Sequence, residues 1–95
     1  MSFQEYVNAA QLFFDELVDK ASDDELFAGG YLRGHFDLAV GYAQVEGIEI
    51  SPDELNNNVE KSLVKAYRSG ELDENDKSLV VTIWEQVKLL ADRTE

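Results

Sequence analysis

His35 is the only histidine in the chain, and there is no cysteine. Any nucleophilic or metal chemistry would therefore rest on one imidazole and on carboxylates. A Ser-His-Asp arrangement would need His35 in a cleft, and no G-x-S-x-G or other nucleophile signature accompanies it. One histidine with carboxylates alone is a poor match to the usual zinc ligand sets. Tyr31 and Arg33 lie close to His35 in the chain, and the three could line a pocket for a small ligand or an enzyme's substrate. Gly29-Gly30 and Gly34 have no lysine after them and no strand before them, so they form neither a phosphate loop nor a dinucleotide fingerprint. The run from Glu71 to Asp76 alternates acids in the manner of a calcium loop. It lacks glycine at the sixth position and carries Thr82 at the twelfth, so it reads as a helix-capping loop. The sequence predicts no catalytic residue, no metal and no cofactor.

What positions these residues follows from composition and periodicity. Ninety-five residues, 44% of them hydrophobic, suit one domain over 1–95 with a single core. Formal charge is −12, from 8 basic and 20 acidic residues. Positions 1–60 hold 13 acids against Lys20 and Arg33, whereas positions 61–95 hold seven acids and six bases. Such a field repels phosphate backbones and anionic lipid, so neither direct nucleic-acid binding nor membrane association is expected. The start, MSFQEYVNAAQLFF, has no basic region of the signal-peptide kind, and no apolar run approaches the roughly 20 residues of a membrane span. With no cysteine to depend on an oxidising compartment, a cytoplasmic setting is expected.

The spacing predicts an all-α, small antiparallel four-helix bundle, with helices near 3–20, 23–46, 52–69 and 74–93. Phe3, Tyr6, Val7, Ala10, Phe13, Phe14, Leu17 and Val18 recur at steps of three and four. Ser2 with Glu5, and Ser22 with Glu25, make capping boxes, and Ser51-Pro52-Asp53-Glu54 is a third cap with proline at the first helical position. Leu55, Val59, Leu63, Ala66 and Tyr67 form the third stripe, with the Asn56-Asn57-Asn58 run facing mostly outward. Asp73 caps the last helix, whose face is Leu79, Val80, Ile83, Trp84, Val87, Leu90 and Ala91, with Lys88 and Arg93 suiting its C-terminal dipole.

The second helix is unusual. On a wheel Phe27, Leu38 and Val45 share one line with Tyr31 and Tyr42 beside it, and Leu32, Phe36, Ala39 and Ala43 extend the apolar arc, with His35 in its middle. This predicts a helix buried over most of its circumference, with only Arg33, Asp37 and Gln44 plainly wet and Arg33 paired to Asp37. Gly30, Gly34 and Gly41 align between the two. With Gly29, these glycines cost roughly 4 kcal/mol relative to alanine, a sizeable share of a domain's whole stability. Another helix packed close over the groove, helix 1 with Phe13, Phe14 and Leu17, would offset that, and Gly34→Leu would then overpack it. An external helix, peptide or ligand in the groove is the alternative, as is a break at Gly29-Gly30.

Other surface features are Lys61, Lys65 and Arg68, a basic ridge on helix 3, and Leu12, Val64, Val81 and Leu89, which point away from their stripes. Val81 and Leu89 share a side that could help a dimer form.

The stretch Ala21-Ser-Asp-Asp-Glu-Leu-Phe-Ala-Gly-Gly-Tyr-Leu-Arg-Gly-His35 resembles the YfcL family of small gammaproteobacterial proteins. Ser62-Leu63, Gly70-Glu71-Leu72, Asp76, Leu79-Val80 and Trp84-Glu85 resemble that family's C-terminal half. Gly29 departs from members that carry serine there, which would leave Gly30, Gly34 and Gly41 as the essential groove. The resemblance implies a small helical protein of bacterial cytoplasm and supplies no reaction, ligand or catalytic residue. Together these features predict a noncatalytic protein-protein interaction module that binds another protein or itself. Its surface is Gly30, Arg33, Gly34, Asp37, Gly41 and Gln44, and the pocket near Tyr31, Arg33 and His35 is the alternative. Acidic mimicry of nucleic acid is a third reading.

Overall fold

Ser2, Ser22, Ser51 and Asp73 each hold the chain extended and accept, through a side-chain oxygen, the backbone N–H three residues further on. At the three serines Glu5, Glu25 and Glu54 reach back to the cap's own N–H, so two otherwise orphan donors are satisfied at each start. These caps begin four helices in a computed structural model that describes residues 2–47 and 50–92: α1 (Phe3–Lys20), α2 (Asp23–Glu46), α3 (Pro52–Arg68) and α4 (Glu74–Ala91). α2 ends on Gly47, whose φ of 68° is left-handed backbone that glycine adopts without the clash a Cβ brings. α3 stops one residue short of the expected 69, with Ser69 as its cap, and α4 stops at Ala91 with Asp92 as its cap. Arg93 lies outside the described residues.

The four helices form an antiparallel bundle. α2 and α4 make its central pair, and α1 and α3 lie against both of them from either side. Tyr6, Phe14, Leu32, Phe36, Leu55, Leu63, Val80 and Val87 are buried, and Phe36 of α2 takes the edges of Tyr6 and Phe14 at 5.8 and 5.9 Å between ring centroids. The Tyr6 hydroxyl donates to Asn56 Oδ1 at 2.6 Å, so the first asparagine of the α3 run faces the core while Asn57 and Asn58 face water. Burial holds the Tyr6 phenol well above its ordinary value. Across the α3–α4 seam, Glu60 accepts from Trp84 Nε1 at 3.2 Å and from Lys88 Nζ at 2.9 Å.

The wheel reading of α2 needs correction. α2 buries Ala28, Gly29, Leu32, Phe36, Ala39, Val40 and Ala43, and leaves Phe27, Leu38, Tyr42 and Val45 exposed. Both sides of this helix are apolar, and three partner helices can cover only one of them. The side that faces α1, α3 and α4 carries Leu32, Phe36 and Val40 with the smaller Ala28, Gly29, Ala39 and Ala43 among them. Val18 on α1 is exposed as well, at a shallow depression that Leu26, Gly29 and Gly30 of α2 also line.

Candidate functional site

The residues singled out on α2 divide into three bands. On the α1 side, Arg33 donates from Nη2 to Gln11 Oε1 at 2.7 Å and to Asp15 Oδ1 at 3.0 Å, and from Nε to Gln11 Oε1 at 3.1 Å. Gln11 in turn donates to Asp37 Oδ1 at 2.6 Å, and the expected Arg33–Asp37 pair is present at 4.0 Å. The guanidinium also stands 5.6 Å from the centre of the Phe14 ring. Arg33 and Asp37 thus clamp α1 to α2 and border the open face with a polar edge on which one guanidinium meets two carboxylates. Gln11 and Asp15 carry no signal in the sequence, because nothing local distinguishes them from other polar residues on a solvated helix face.

On the α3 side, the Tyr31 and His35 rings are in contact, with centroids 4.9 Å apart and planes tilted by 45°. The Tyr31 hydroxyl donates to Glu71 Oε1 at 2.5 Å, and His35 Nδ1 shares a hydrogen bond with Ser62 Oγ. Burial, followed by the bond to Glu71, pushes the Tyr31 phenol up to about 12, while the same bond holds the Glu71 carboxyl low. His35 is half-buried at the head of a cleft of about 340 Å³, which Leu38, Tyr42, Asn58 and Ser62 also line. It sits at the seam of α2 and α3 and not in the middle of a buried arc. The structure brings Tyr31 and His35 together and sends Arg33 to the other side of α2. Ser62 lies inside helix α3, where its own backbone N–H is committed to the helix. Among the described residues no group of three His, Asp or Glu side chains is placed to hold a metal ion, and no helix is long and apolar enough to cross a membrane.

Between these two bands runs the open face. A Cβ added at Gly30, Gly34 or Gly41 would meet nothing within 4 Å. The expectation that α1 packs over these glycines, and with it the overpacking of Gly34→Leu, is therefore corrected. The glycine that α1 does cover is Gly29, where an added Cβ would lie 2.7 Å from Leu17 Cδ2. The groove is external, and Gly29, the departure from the family's serine, is the packed position. α2 is unbroken at Gly29-Gly30. Phe27, Leu38, Tyr42 and Val45 flank the bare glycines and are 52%, 54%, 62% and 86% exposed. Gln44 is exposed at the rim beside them. The basic ridge of Lys61, Lys65 and Arg68 borders a separate shallow depression on α3 that Val64 also lines, Val64 and Val81 share a second depression at the α3–α4 seam, and Leu12 and Leu89 are exposed elsewhere.

Comparison with known proteins gives a family and no ligand. The family model described as YfcL protein matches residues 4–89. A protein of Escherichia coli (strain K12), named "Uncharacterized protein YfcL", is 44% identical over 84 residues, which cover 87% of this chain and 89% of that protein. No solved structure matches the chain.

Proposed function

The chain belongs to the YfcL family, and from that premise we propose that it is a noncatalytic protein-protein interaction module whose contact surface is the open face of α2. The face comprises Gly30, Gly34 and Gly41, the apolar flank of Phe27, Leu38, Tyr42 and Val45, and the polar rim of Arg33, Asp37 and Gln44. One observation carries the reading. Three glycines in a helix interior cost about 1 kcal/mol each relative to alanine, and the folded monomer places nothing over them. Their backbone is bare beside large apolar side chains left in water, an arrangement that a second helix laid along the groove would use at both levels, by close approach and by apolar burial.

A photo-crosslinking residue placed at Leu38 or Tyr42 in living cells tests this, with the same residue at Lys61 on α3 as the control. Discrete adducts at the α2 positions and none at Lys61 are the expected outcome. Absence of adducts at Leu38 and Tyr42, or equal labelling at all three positions, refutes the α2 surface.

A further inference from the structure

We infer that the occupant of this face is a second copy of the chain, with the two α2 helices crossing antiparallel about a two-fold axis at position 36. The inference rests on the α2 face being a docking surface and names its partner. In an antiparallel helix pair related by a two-fold axis, positions equidistant from the axis share a layer, and their angular offsets from the contact line are equal and opposite. About position 36 the layers are Phe27 with Val45, Gly30 with Tyr42, Tyr31 with Gly41, and Gly34 with Leu38. In three of the four layers one residue is large and the other has no side chain. In the two layers nearest the axis, Gly34 with Leu38 and Tyr31 with Gly41, the large side chain has room beside the bare backbone of the glycine. A parallel pairing sets Phe27 on Phe27, Tyr42 on Tyr42 and glycine on glycine, alternating collisions with holes.

Area and charge agree. An aromatic side chain has roughly 150–250 Å² to bury, so at their exposures of 52% and 62% Phe27 and Tyr42 each leave about 100 Å² in water. Leu38 and Val45 bring the flank to about 400 Å², as large as the largest patch on a typical monomer. That is about half of the roughly 800 Å² per partner in a stable interface, and Tyr31 and the bare glycine backbone lie beside it. The chain carries −12, yet the segment from Phe27 to Val45 holds only Arg33 and Asp37 as formal charges, which pair with each other. A basic partner would call for an acidic contact face, and this one is neutral. Two copies repel through the remainder of their charge, so self-association strengthens as salt screens it, whereas docking of a basic partner weakens.

The chain has no cysteine of its own, which allows disulfide trapping on the full-length protein. Phe27→Cys mixed with Val45→Cys, and Gly34→Cys mixed with Leu38→Cys, should give mixed disulfide dimers under mild oxidation. Phe27→Cys alone should not, because its two copies lie at opposite ends of the face. Sedimentation equilibrium of the unmodified chain should show a monomer–dimer equilibrium that tightens with added salt. Tyr42→Asp, at an exposed position where the fold is indifferent, should raise the dimer Kd by roughly tenfold or more, with circular dichroism confirming an intact helical fold. A chain that stays monomeric at the highest attainable concentration and salt overturns the inference, as does self-crosslinking of Phe27→Cys as fast as the matched pair. If it is monomeric while Leu38 and Tyr42 crosslink to a different protein in cells, only the second-copy inference fails. If those positions also give no adduct, the docking surface itself fails.

Discussion

Replacing Gly30, Gly34 and Gly41 together by alanine should stabilise the folded monomer. An added methyl meets nothing within 4 Å at any of the three positions, so no clash opposes the gain. All three lie inside α2 with right-handed helical backbone, since the positive-φ glycines are Gly47 and Gly70. Alanine is favoured over glycine in a helix interior by about 1 kcal/mol, largely because it restricts the unfolded chain, an effect worth roughly 0.4–1 kcal/mol per site when the native conformation suits both residues. The triple variant should therefore gain about 1–3 kcal/mol, which for a domain near 100 residues is a rise in Tm of about 5–20 °C. The assay is urea and thermal unfolding followed by circular dichroism. It is run dilute, because self-association stabilises the unmodified chain by mass action and would mask the gain. Gly29→Ala is the internal contrast: its methyl would sit 2.7 Å from Leu17 Cδ2, so that side chain must move and the gain should be smaller or vanish. Equal or lower stability of the triple variant at high dilution would mean that part of the fold covers the groove, and the reasoning from bare glycines would collapse. A triple variant that is more stable yet no longer self-associates is the result that ties the cost of these glycines to binding.

The remaining predictions concern the fold that carries the face. Tyr6→Phe leaves the buried Asn56 Oδ1 without its donor and should cost about 1–3 kcal/mol; a variant as stable as the parent in urea would show that this bond contributes nothing net. Gly47→Ala forces a Cβ into left-handed backbone at φ 68° and should destabilise by about 1 kcal/mol, with an unchanged urea midpoint counting against it. Alkaline pH should unfold the chain. Folding raises the phenols of Tyr6 and Tyr67 by burial and that of Tyr31 to about 12 by burial and its bond to Glu71, all above the unfolded value of 10.0. Their contribution is complete below pH 10.0, where both states are protonated. It is lost as pH rises through the folded values, because the unfolded chain ionises first. A urea midpoint that stays level or rises between pH 10 and 12 refutes this, and Tyr6→Phe should show the shallower decline.

The helix starts were legible in the sequence because caps act locally. Ser2, Ser22, Ser51 and Asp73 satisfy donors only three residues away, so their meaning does not depend on the rest of the fold. The stripes of α3 and α4 were legible for a related reason: each has one apolar side, and only that side could be buried. α2 broke the inference. Its wheel is apolar around most of its circumference, so periodicity offered two faces and no rule for choosing between them. The three bare glycines read as a packing seam because the wheel gives them a line without saying whether anything stands over it. The same wheel did place Arg33, Asp37 and Gln44 on one wet edge, and the structure keeps them there. Asn56 looked like its neighbours Asn57 and Asn58, since only the position of Tyr6, fifty residues away in the chain, makes it a core acceptor.

By itself the sequence determined four capped helices, the apolar faces of α1, α3 and α4, an acidic charge concentrated in positions 1–60, and the absence of any thiol. Each follows from nearest-neighbour chemistry or from composition. Tertiary structure alone decided which half of α2 is inside, that α1 covers Gly29 and leaves Gly30, Gly34 and Gly41 bare, that Arg33 turns to Gln11 and Asp15, and that His35 meets Ser62 beside a cleft. These depend on where three other helices run. A helix with two apolar sides offers both, and which of them is buried is set by the single apolar stripes of the helices that pack on it.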